Sequence, residues 1–375
     1  MIGGCTSAMS TTEPAGAAPG GAGARRRRLA GARAAGILGG FLLDRAFGDP
    51  ARLHPVAGFG RAAQAVEGLL LRGGASPARQ RAAGALFTAV TVGGAAGVVT
   101  MGSRAARRIT LRSPLGPVPL GSTAWTALVV WSCLGGSSLL EVAQRQGDLL
   151  ARGDHAGSRE LLPWLCGRDP DALDPPGLAR AVVESVAENT SDAAVGTLFW
   201  AAVAGPTGAA VHRAANTLDA MVGHRSERYR DFGWASARLD DVLGWPAARA
   251  AGLLTAALAG VAGGRARESL RVWRRDAAAH PSPNAGVVEA ATAGALGVRL
   301  GGRTPYPYGV EHRPTLGDGP APGPADVRRS GRLMRAVQVG AALLAVGGLA
   351  VAGPAPAHAW RSRARRRAAR RCSAS

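Results

Sequence analysis

The sequence predicts a mainly α-helical, polytopic integral membrane protein, a helical bundle with large cytosolic helical loops. Three charge-free windows are each long enough to cross a bilayer, which takes roughly 20 apolar residues; they are 82–101, 120–140 and 336–357. Glycine and alanine dominate these windows, a composition that favours close packing between membrane helices. The sequence shows no strand-like alternation of polar and apolar residues over any length, so helices are expected throughout.

The chain divides into five parts in order. Residues 1–33 are rich in small residues, end in arginines and are expected to form a disordered basic leader. Residues 34–318 form the main membrane-embedded domain, and 319–335 form a linker. An apolar segment over 336–357 and a basic disordered tail over 358–375 complete the chain.

Two further apolar windows are marginal. They are 193–211, which Gly205 and Pro206 interrupt, and 250–264, which is short. Each is open to two interpretations, a membrane segment or a buried helix of an extramembrane part.

Charge and cysteine content narrow the function classes. All 45 Lys+Arg positions are arginine, which excludes a phosphate-loop lysine, a lysine Schiff base and any catalytic lysine. The formal net charge is +20, but much of it lies in two arms, 25–33 and 361–371. Arginine arms beside uncharged stretches are typical of membrane flanks and do not indicate nucleic-acid binding. The four cysteines form no CxxC pair, so neither a zinc site nor a disulfide framework is indicated.

Three acids recur at helical spacing just before the window 193–211. Glu184, Glu188 and Asp192 are four residues apart and would share one helix face. Stacked carboxylates repel each other unless a cation or an arginine neutralises them. Mg²⁺ is commonly held by one or two carboxylates together with substrate phosphates, so this stripe is a candidate Mg²⁺ platform. The alternative is a solvated helix face paired with arginines.

The stretch from 212 to 241 is dense in groups that bind anions and metals. Arg213, Asn216 and Asp219 can line one helical face, and the downstream pair Asp240 and Asp241 is a second candidate for metal ligands. Arginines bind phosphate and carboxylate oxygens bidentately, and the candidates for such a clamp are Arg225, Arg228 and Arg230. The alternative is an ordinary charged loop beside the membrane.

Two other segments carry candidate polar residues. Asp49 and Pro50 precede a rigid turn with His54, which is a candidate general base or a structural hydrogen-bonding residue. Ser282, Asn284 and Glu289 belong to a turn and helix start whose N–H groups could face an anion, although helix capping alone also explains them.

Four segments in this order resemble the CobD/CbiB family of adenosylcobinamide-phosphate synthases, the membrane cobinamide synthases of cobalamin biosynthesis. They are GDPARLHPVAGFGR (48–61), ESVAENTSDAAVGTLFWAAVAGPTGA (184–209), AANTLDAMVGHRSERYRDFGWASARLDDV (214–242) and HPSPNAGVVEAATAGALGVRLGG (280–302). The similarity covers roughly 36–318, and 304–311 matches less well.

The resemblance implies a ligase that uses ATP and Mg²⁺. A propionate carboxylate of adenosylcobyric acid would be activated, plausibly as an acyl phosphate, and attacked by the amine of (R)-1-amino-2-propanol O-phosphate or of free aminopropanol. The product would be adenosylcobinamide phosphate. Metal and arginines suit this chemistry because they stabilise charge on the transferred phosphoryl group. The implied partners are the corrinoid, the amino alcohol, the lipid bilayer and other enzymes of the pathway, with no nucleic acid.

Residue roles follow from the same resemblance. His54 or Asp219 would accept the proton of the amine. The metal ligands would be Glu184, Glu188, Asp192, Asp240 and Asp241. Substrate and phosphate would bind Asp49, Asn189, Arg213, Asn216, Arg225, Arg228, Tyr229, Arg230, Ser282, Asn284 and Glu289. The sequence shows no nucleotide-binding signature that would place ATP.

We call the acidic stripe 184–192 and the stretch 212–241 the two central motifs. If both act on ATP, both must face the cytosol at the cell membrane. A straight crossing at 193–211 would separate them, so the Gly205–Pro206 break favours a re-entrant or half-buried hairpin. The preferred topology crosses at 82–101 and 120–140 and leaves 44–61 and 184–317 on the cytosolic face.

Two other function classes are open. A transporter would carry charges inside the windows and repeated halves, which the sequence does not show. A non-catalytic scaffold would recruit pathway enzymes through its arginine-rich arms.

Overall fold

The described residues of the computed structural model, 20–49, 54–71, 73–111, 118–224 and 226–351, form twelve α-helices and one two-stranded sheet. The helices are α1 (Gly20–Phe47), α2 (Pro55–Leu70), α3 (Pro77–Ala106), α4 (Leu120–Cys133), α5 (Gly136–Ala151), α6 (His155–Leu161), α7 (Pro175–Asn189), α8 (Thr197–Val222), α9 (Trp234–Ala257), α10 (Ala266–Asp276), α11 (Ala285–Leu296) and α12 (Pro324–Val351). The antiparallel strands are β1 (Leu300–Tyr306) and β2 (Gly309–Leu316). The mainly α prediction is confirmed.

The β-hairpin corrects the expectation of helices throughout. Its register shifts between Leu300 and Gly302, and Gly301 and Gly302 both have positive φ angles, 79° and 84°. An irregular register interrupts the period-2 pattern on which strand prediction depends. Leu300 and Gly301, at this irregularity, are consecutive residues and both are buried, so the sequence alternation is lost.

Four helical stretches are long and apolar enough to cross a membrane. They are Pro77–Ala106, Leu120–Ala151, Pro175–Val222 and Pro324–Val351. They contain the windows 82–101, 120–140 and 193–211 and the described part of 336–357. The short window 250–264 is not among them, because α9 ends at Ala257 and Ala259–Ala262 forms a 3-10 turn.

Two predicted boundaries are corrected. Residues 20–33 belong to α1 and are not a disordered leader, because the helix is anchored where the Arg33 guanidinium donates to the carbonyl of Ala202 (3.1 Å). Residues 324–335 belong to α12 and are not a linker, because Val327 and Leu333 are buried. Residues 1–19 and the predicted tail 358–375 lie outside the described residues.

Small residues of the long helices allow close packing between them. A Cβ added at Gly40 would lie 2.7 Å from the Val130 side chain on α4, and one added at Gly102 would lie 2.2 Å from the Trp125 ring. Such distances are shorter than real Cβ contacts, so larger residues would push α1 and α3 away from α4. Close approach of this kind gives membrane helices their packing energy.

The window 120–140 is not one straight helix. It breaks at Leu134 and Gly135, where Gly135 has φ 95°, and α5 starts at Gly136. The carboxylate of Asp44 accepts hydrogen bonds from the Gly135 N–H (3.3 Å) and the Ser137 N–H (3.1 Å). Asp44 therefore serves as the cap for α5 and ties the end of α1 to this break.

The chain reverses direction inside α8. Gly205 has φ 72° and ψ −165°, a conformation that is essentially restricted to glycine. Pro206 has no N–H to bond the Ala202 carbonyl, and Arg33 donates to that carbonyl instead. The two arms of the resulting helical hairpin lie side by side, as the re-entrant hairpin hypothesis predicts.

Candidate active site

The hairpin brings the two central motifs together. The imidazole Nε2 of His212 lies 2.9 Å from the backbone oxygen of Asp192, although the two are 20 residues apart. A straight helix would separate them by about 30 Å. A Cβ added at Gly196 would overlap the His212 ring, at 1.9 Å from Nε2. The Gly205 break and the small residue at 196 therefore set this contact.

An acidic cluster forms where the hairpin arms meet α9. The side-chain amide of Asn216 donates to Asp192 (Nδ2–Oδ2 3.3 Å) and also hydrogen-bonds the Asp240 side chain. Burial and the nearby Asp219 carboxylate raise the pKa of Asp240 from 3.8 to about 7. Glu188, one helical turn before Asp192, is partly exposed, and its charge also acts on Asp240. We call Glu188, Asp192, Asn216, Asp219 and Asp240 the acidic cluster.

The acidic cluster fits a hard divalent cation held jointly with a substrate. Within the described residues, no three His, Cys, Asp or Glu side chains lie close enough to hold a metal ion by themselves. Asp240 Oδ1 is buried, however, and has no hydrogen-bond partner among these residues. An unpaired buried carboxylate oxygen beside a second carboxylate matches the usual Mg²⁺ donor set, in which substrate and water oxygens complete the coordination.

Asp241 lies at the edge of the acidic cluster. Burial raises the pKa of its side chain, and the Arg238 guanidinium opposes that shift. Its backbone carbonyl accepts a hydrogen bond from the side-chain amide of Asn284 (2.9 Å). Asp241 therefore connects the cluster to α11.

Glu184 is placed differently from Glu188 and Asp192. It is fully buried, forms an ion pair with Arg168 and accepts a hydrogen bond from the Gly301 N–H (2.6 Å). Both oxygens are thus engaged by groups of this chain. Glu184 is therefore not a candidate metal ligand. It belongs to the buried junction between α7 and the β-hairpin.

Glu289 is fully buried beside this junction, next to His280 and Arg313. Its carboxylate lies 3.8 Å from His280 Nε2 and 4.0 Å from Arg313 Nη1, and neither oxygen has a hydrogen-bond partner within the described residues. Burial and the carboxylates of Glu184 and Glu188 raise the pKa of Glu289 well above its usual range. The negative charge of Glu188, a partly exposed member of the acidic cluster, therefore acts on Glu289.

His54 has a structural role in this geometry. Its Nδ1 accepts the Val56 N–H (3.2 Å) as the N-cap of α2, and its Nε2 faces Asp49 Oδ1 at 3.5 Å. With Nδ1 accepting and Nε2 directed at a carboxylate, neither nitrogen has a free lone pair for a substrate proton. Of the two predicted general-base candidates, Asp219 is the one that lies in the acidic cluster, where it is partly exposed.

Arg213 connects the Asp49 region to the acidic cluster. Its Nη1 donates to Asn216 Oδ1 (3.3 Å), and its positive charge contributes to the lowered pKa of Asp49, for which the hydrogen bond to His54 is the main cause. Asp49 therefore lies near the second central motif, on which Arg213 and Asn216 stand. Asn189 is instead engaged within its own helix, where its amide donates to the Ser185 carbonyl (2.9 Å).

The predicted arginine clamp is not assembled in the described residues. Arg228 and the Tyr229 hydroxyl both donate to the buried Glu67 of α2, each at 2.9 Å, and the Arg230 side chain is exposed. These residues pin the loop before α9 to α2 and do not face the acidic cluster. Arg225 lies outside the described residues.

Ser282 and Asn284 stabilise the start of α11. The Ser282 hydroxyl accepts the Ala285 N–H (3.1 Å), and Asn284 Oδ1 accepts from Arg249 (3.0 Å). Capping, one of the two interpretations of this segment, explains Ser282 without a bound anion.

Sequence reasoning missed three charged or titratable residues near the site, of which His280 and Arg168 are buried and Arg313 is partly buried. His280 is the first residue of one of the four segments that resemble the family, and this position could have identified it as a candidate. A single histidine in a sequence does not, however, indicate which residue it contacts. Arg168 and Arg313 carry no local signal, since each pairs with a glutamate more than a dozen residues away.

Known proteins similar to this chain share one description. Residues 37–334 match the family described as "CobD/Cbib protein". The "Cobalamin biosynthesis protein CobD" of Mycobacterium tuberculosis H37Rv is 53% identical over 84% of this chain and 95% of the relative. Relatives of the same description from Chromobacterium violaceum and Geobacter metallireducens are 42% and 40% identical, over 78% and 75% of this chain and 89% and 86% of their own lengths. No solved structure matches the chain.

Proposed function

This chain belongs to the CobD/Cbib family and has a role in cobalamin biosynthesis, and on that premise we propose that it is the membrane ligase of the pathway's aminopropanol step. The proposed reaction joins (R)-1-amino-2-propanol O-phosphate, or aminopropanol, to a propionate carboxylate of adenosylcobyric acid. It consumes ATP, releases ADP and phosphate, and gives adenosylcobinamide phosphate from the phosphorylated amine or adenosylcobinamide from free aminopropanol. The acidic cluster is the proposed centre of this chemistry.

The acidic cluster suits activation of a carboxylate. A carboxylate oxygen is a poor leaving group until a phosphoryl group is transferred to it, and ATP with Mg²⁺ would supply that group and neutralise its charge. Asp192 and Asp240 would hold the cation. Asn216 orients both carboxylates, and Arg213 presents a positive charge beside them.

Asp219 would take the proton released when the amine attacks the activated carbonyl. Asp219 is partly exposed and its carboxylate lies near Asp240, whereas both nitrogens of His54 are engaged. A positioned carboxylate acting as general base typically contributes about 10²–10⁴-fold to a rate.

One observation carries the proposal: three segments far apart in the chain meet at Asp192, Asn216 and Asp240. The test is ATP-dependent formation of the amide product by membranes that contain each variant. Asp192→Asn and Asp240→Asn keep the shape of the side chain and remove its charge, and we expect activity to fall at least about 100-fold, as for loss of one preorganised electrostatic group. Glu141→Gln, at an exposed glutamate that pairs only with Arg145, is the matched control and should keep full activity.

The same assay distinguishes the alternatives. A scaffold would keep activity supplied by a partner enzyme when Asp192 is replaced, and a transporter would change corrinoid uptake and leave ligation unaffected. Either result would contradict the ligase proposal. The ligase also requires the end of the bundle that carries the acidic cluster to face the cytosol, where ATP is found.

A further inference from the structure

An apolar groove runs along the membrane bundle between α2, α3, α4 and the second arm of the α8 hairpin. Its volume is about 270 Å³, near the lower end of the range for small-molecule sites. Val56, Ala95, Val98, Leu128 and Ala210 line it, with Arg213 at one end. We call it the lateral groove.

The lateral groove opens sideways on helices that can cross a membrane. Val98 on α3 is 67% exposed and Leu128 on α4 is 45% exposed, and both helices belong to the four candidate spans. Inside a bilayer these side chains would face lipid, so the mouth of the groove would open to acyl chains and not to water.

The groove runs parallel to the bundle axis. Trp125 lines one end, where its Nε1 donates to Ser103 (3.1 Å) near the end of α3, and Cys133 lines the other, where its carbonyl accepts from Thr197 (3.2 Å). These residues are about two turns apart on α4, or roughly 12 Å at the helical rise. An acyl chain in a membrane has the same direction.

Arg213 gives the groove a polar end. It is the charged member of the described residues that line the groove, and its Nε is buried without a hydrogen-bond partner among them. A buried N–H left without an acceptor is unfavourable, and guanidinium groups bind phosphate oxygens preferentially. An apolar slot with an unpaired guanidinium at its end matches an amphiphile with a phosphate head.

We propose that the lateral groove binds one membrane phospholipid, with an acyl chain along α3 and α4 and its phosphate at Arg213. Arg213 also donates to Asn216 of the acidic cluster, so the lipid would lie directly beside the candidate active site. This inference does not depend on the chemistry proposed for that site.

Photo-crosslinking tests the location of the acyl chain. The full-length protein is reconstituted with phosphatidylglycerol that carries a diazirine in one acyl chain, irradiated and mapped by peptide mass spectrometry. We expect labels on groove-lining positions such as Ala95, Leu128 and Ala210. Val98→Trp should block the mouth and remove these labels, whereas Val90→Trp, at a 50% exposed valine on the same helix outside the groove, should leave them unchanged. Equal labelling of the groove in the two variants would overturn the proposal.

A second measurement tests the phosphate contact. Native mass spectrometry of the purified protein counts bound lipid after titration with phosphatidylglycerol or with diacylglycerol of the same chains, which lacks the phosphate. We expect phosphatidylglycerol to bind at least about 10-fold more tightly, and Arg213→Gln to abolish that difference. Equal binding of both lipids to the unaltered protein, or an undiminished preference for phosphatidylglycerol in Arg213→Gln, would overturn the proposed phosphate contact.

Discussion

At the scale of single residues, two glutamates one helical turn apart have opposite roles. Glu184 is fully buried and paired with Arg168, whereas Glu188 is partly exposed and has no ion-pair partner within the described residues. A spacing of four residues puts them on one face of an ideal helix, but it does not say which of them the fold covers. The neighbours of each residue therefore decide its role.

The same substitution at the two positions should have different effects. Glu184→Gln leaves the Arg168 charge buried without its partner, which costs roughly 3–5 kcal/mol. We expect a large loss of thermal stability in detergent. Glu188→Gln removes no ion pair, so stability should change by less than about 1 kcal/mol while ligase activity falls. Equal stability of the two variants would contradict the assigned roles.

Asp240 predicts a pH dependence of cation binding. Its pKa is raised to about 7, and only the ionised carboxylate binds a cation. Mg²⁺ or Mn²⁺ affinity should therefore rise with pH, by up to about 10-fold per unit below pH 7, and level off above it. Without a cation, the stability of the folded protein changes with pH in the opposite direction. A pKa raised from 3.8 makes stability fall between about pH 4 and 7 as the folded state holds a proton that the unfolded state has released.

Titration calorimetry in buffers with different ionisation enthalpies measures the released proton directly. Asp240→Asn removes the titrating group, so the inflection near pH 7 should disappear in that variant. Persistence of the inflection in Asp240→Asn would assign it to another carboxylate of the acidic cluster.

At the scale of elements, a π-helical turn redirects the acidic stripe. Thr190–Gly196 forms this turn between α7 and α8 and contains Asp192. Its i→i+5 hydrogen bonds widen the helix, so positions within it no longer follow the face set by Glu184. Asp192 can then face Asn216 on the returning arm, while Glu184 faces the β-hairpin.

The reversal at Gly205 should be sensitive to any side chain. Its φ of 72° with ψ −165° is unfavourable for L residues, so we expect Gly205→Ala to destabilise the protein by about 1–3 kcal/mol and to lower ligase activity. Gly94→Ala is the matched control, since Gly94 lies within α3 and a Cβ there would meet nothing within 4 Å. Helix interiors favour alanine over glycine, so this variant should be as stable as the parent or slightly more stable. Thermal unfolding in detergent measures both, and an unchanged Gly205→Ala protein would contradict the hairpin.

At the scale of the whole molecule, the bundle has two chemically different ends. Asp44, Asp192 and Asn216 lie at the end that holds the acidic cluster. The opposite end contains the hairpin tip at 202–207 and the C-terminal part of α3, where the Thr100 hydroxyl contacts the Thr207 hydroxyl (3.2 Å). The hairpin lets the central motifs share one end although an apolar window lies between them.

Labelling of single cysteines tests this arrangement. In a chain whose native cysteines are replaced, we expect cysteines introduced at Arg107 and Arg238 to react with a membrane-impermeant reagent from opposite sides of sealed vesicles. Both arginines are exposed. Reaction of both from the same side would show that the four candidate spans do not cross as the bundle implies.

The same labelling decides the orientation. Arg104, Arg107 and Arg108 are exposed and make no ion pair within the described residues, and arginine-rich loops favour the cytosol. Use of ATP instead requires the end with the acidic cluster to be cytosolic. In intact cells we expect the cysteine at 107 to be the accessible one. Labelling of the cysteine at 238 from outside would contradict the ligase proposal and leave the lateral groove unaffected.

Much of the fold follows from the sequence by itself. The windows 82–101 and 120–140 indicate membrane helices because the bilayer imposes a length and a composition that few other structures need. The Gly205–Pro206 break and the candidate acids Asp192 and Asp240 are also local features, since breaks and charges are properties of the residues themselves. The four similar segments identify the family by the same local evidence.

Only the tertiary structure decided which polar residues act together. Arg168 and Arg313 pair with glutamates distant in sequence, Arg228 is held by Glu67 instead of facing the site, and the β-hairpin forms despite its irregular register. The physical reason is that burial and electrostatic partnership depend on distances in space, which neither helical spacing nor composition contains. The sequence therefore determined the elements and the chemistry available, and the packing of those elements determined which groups can meet.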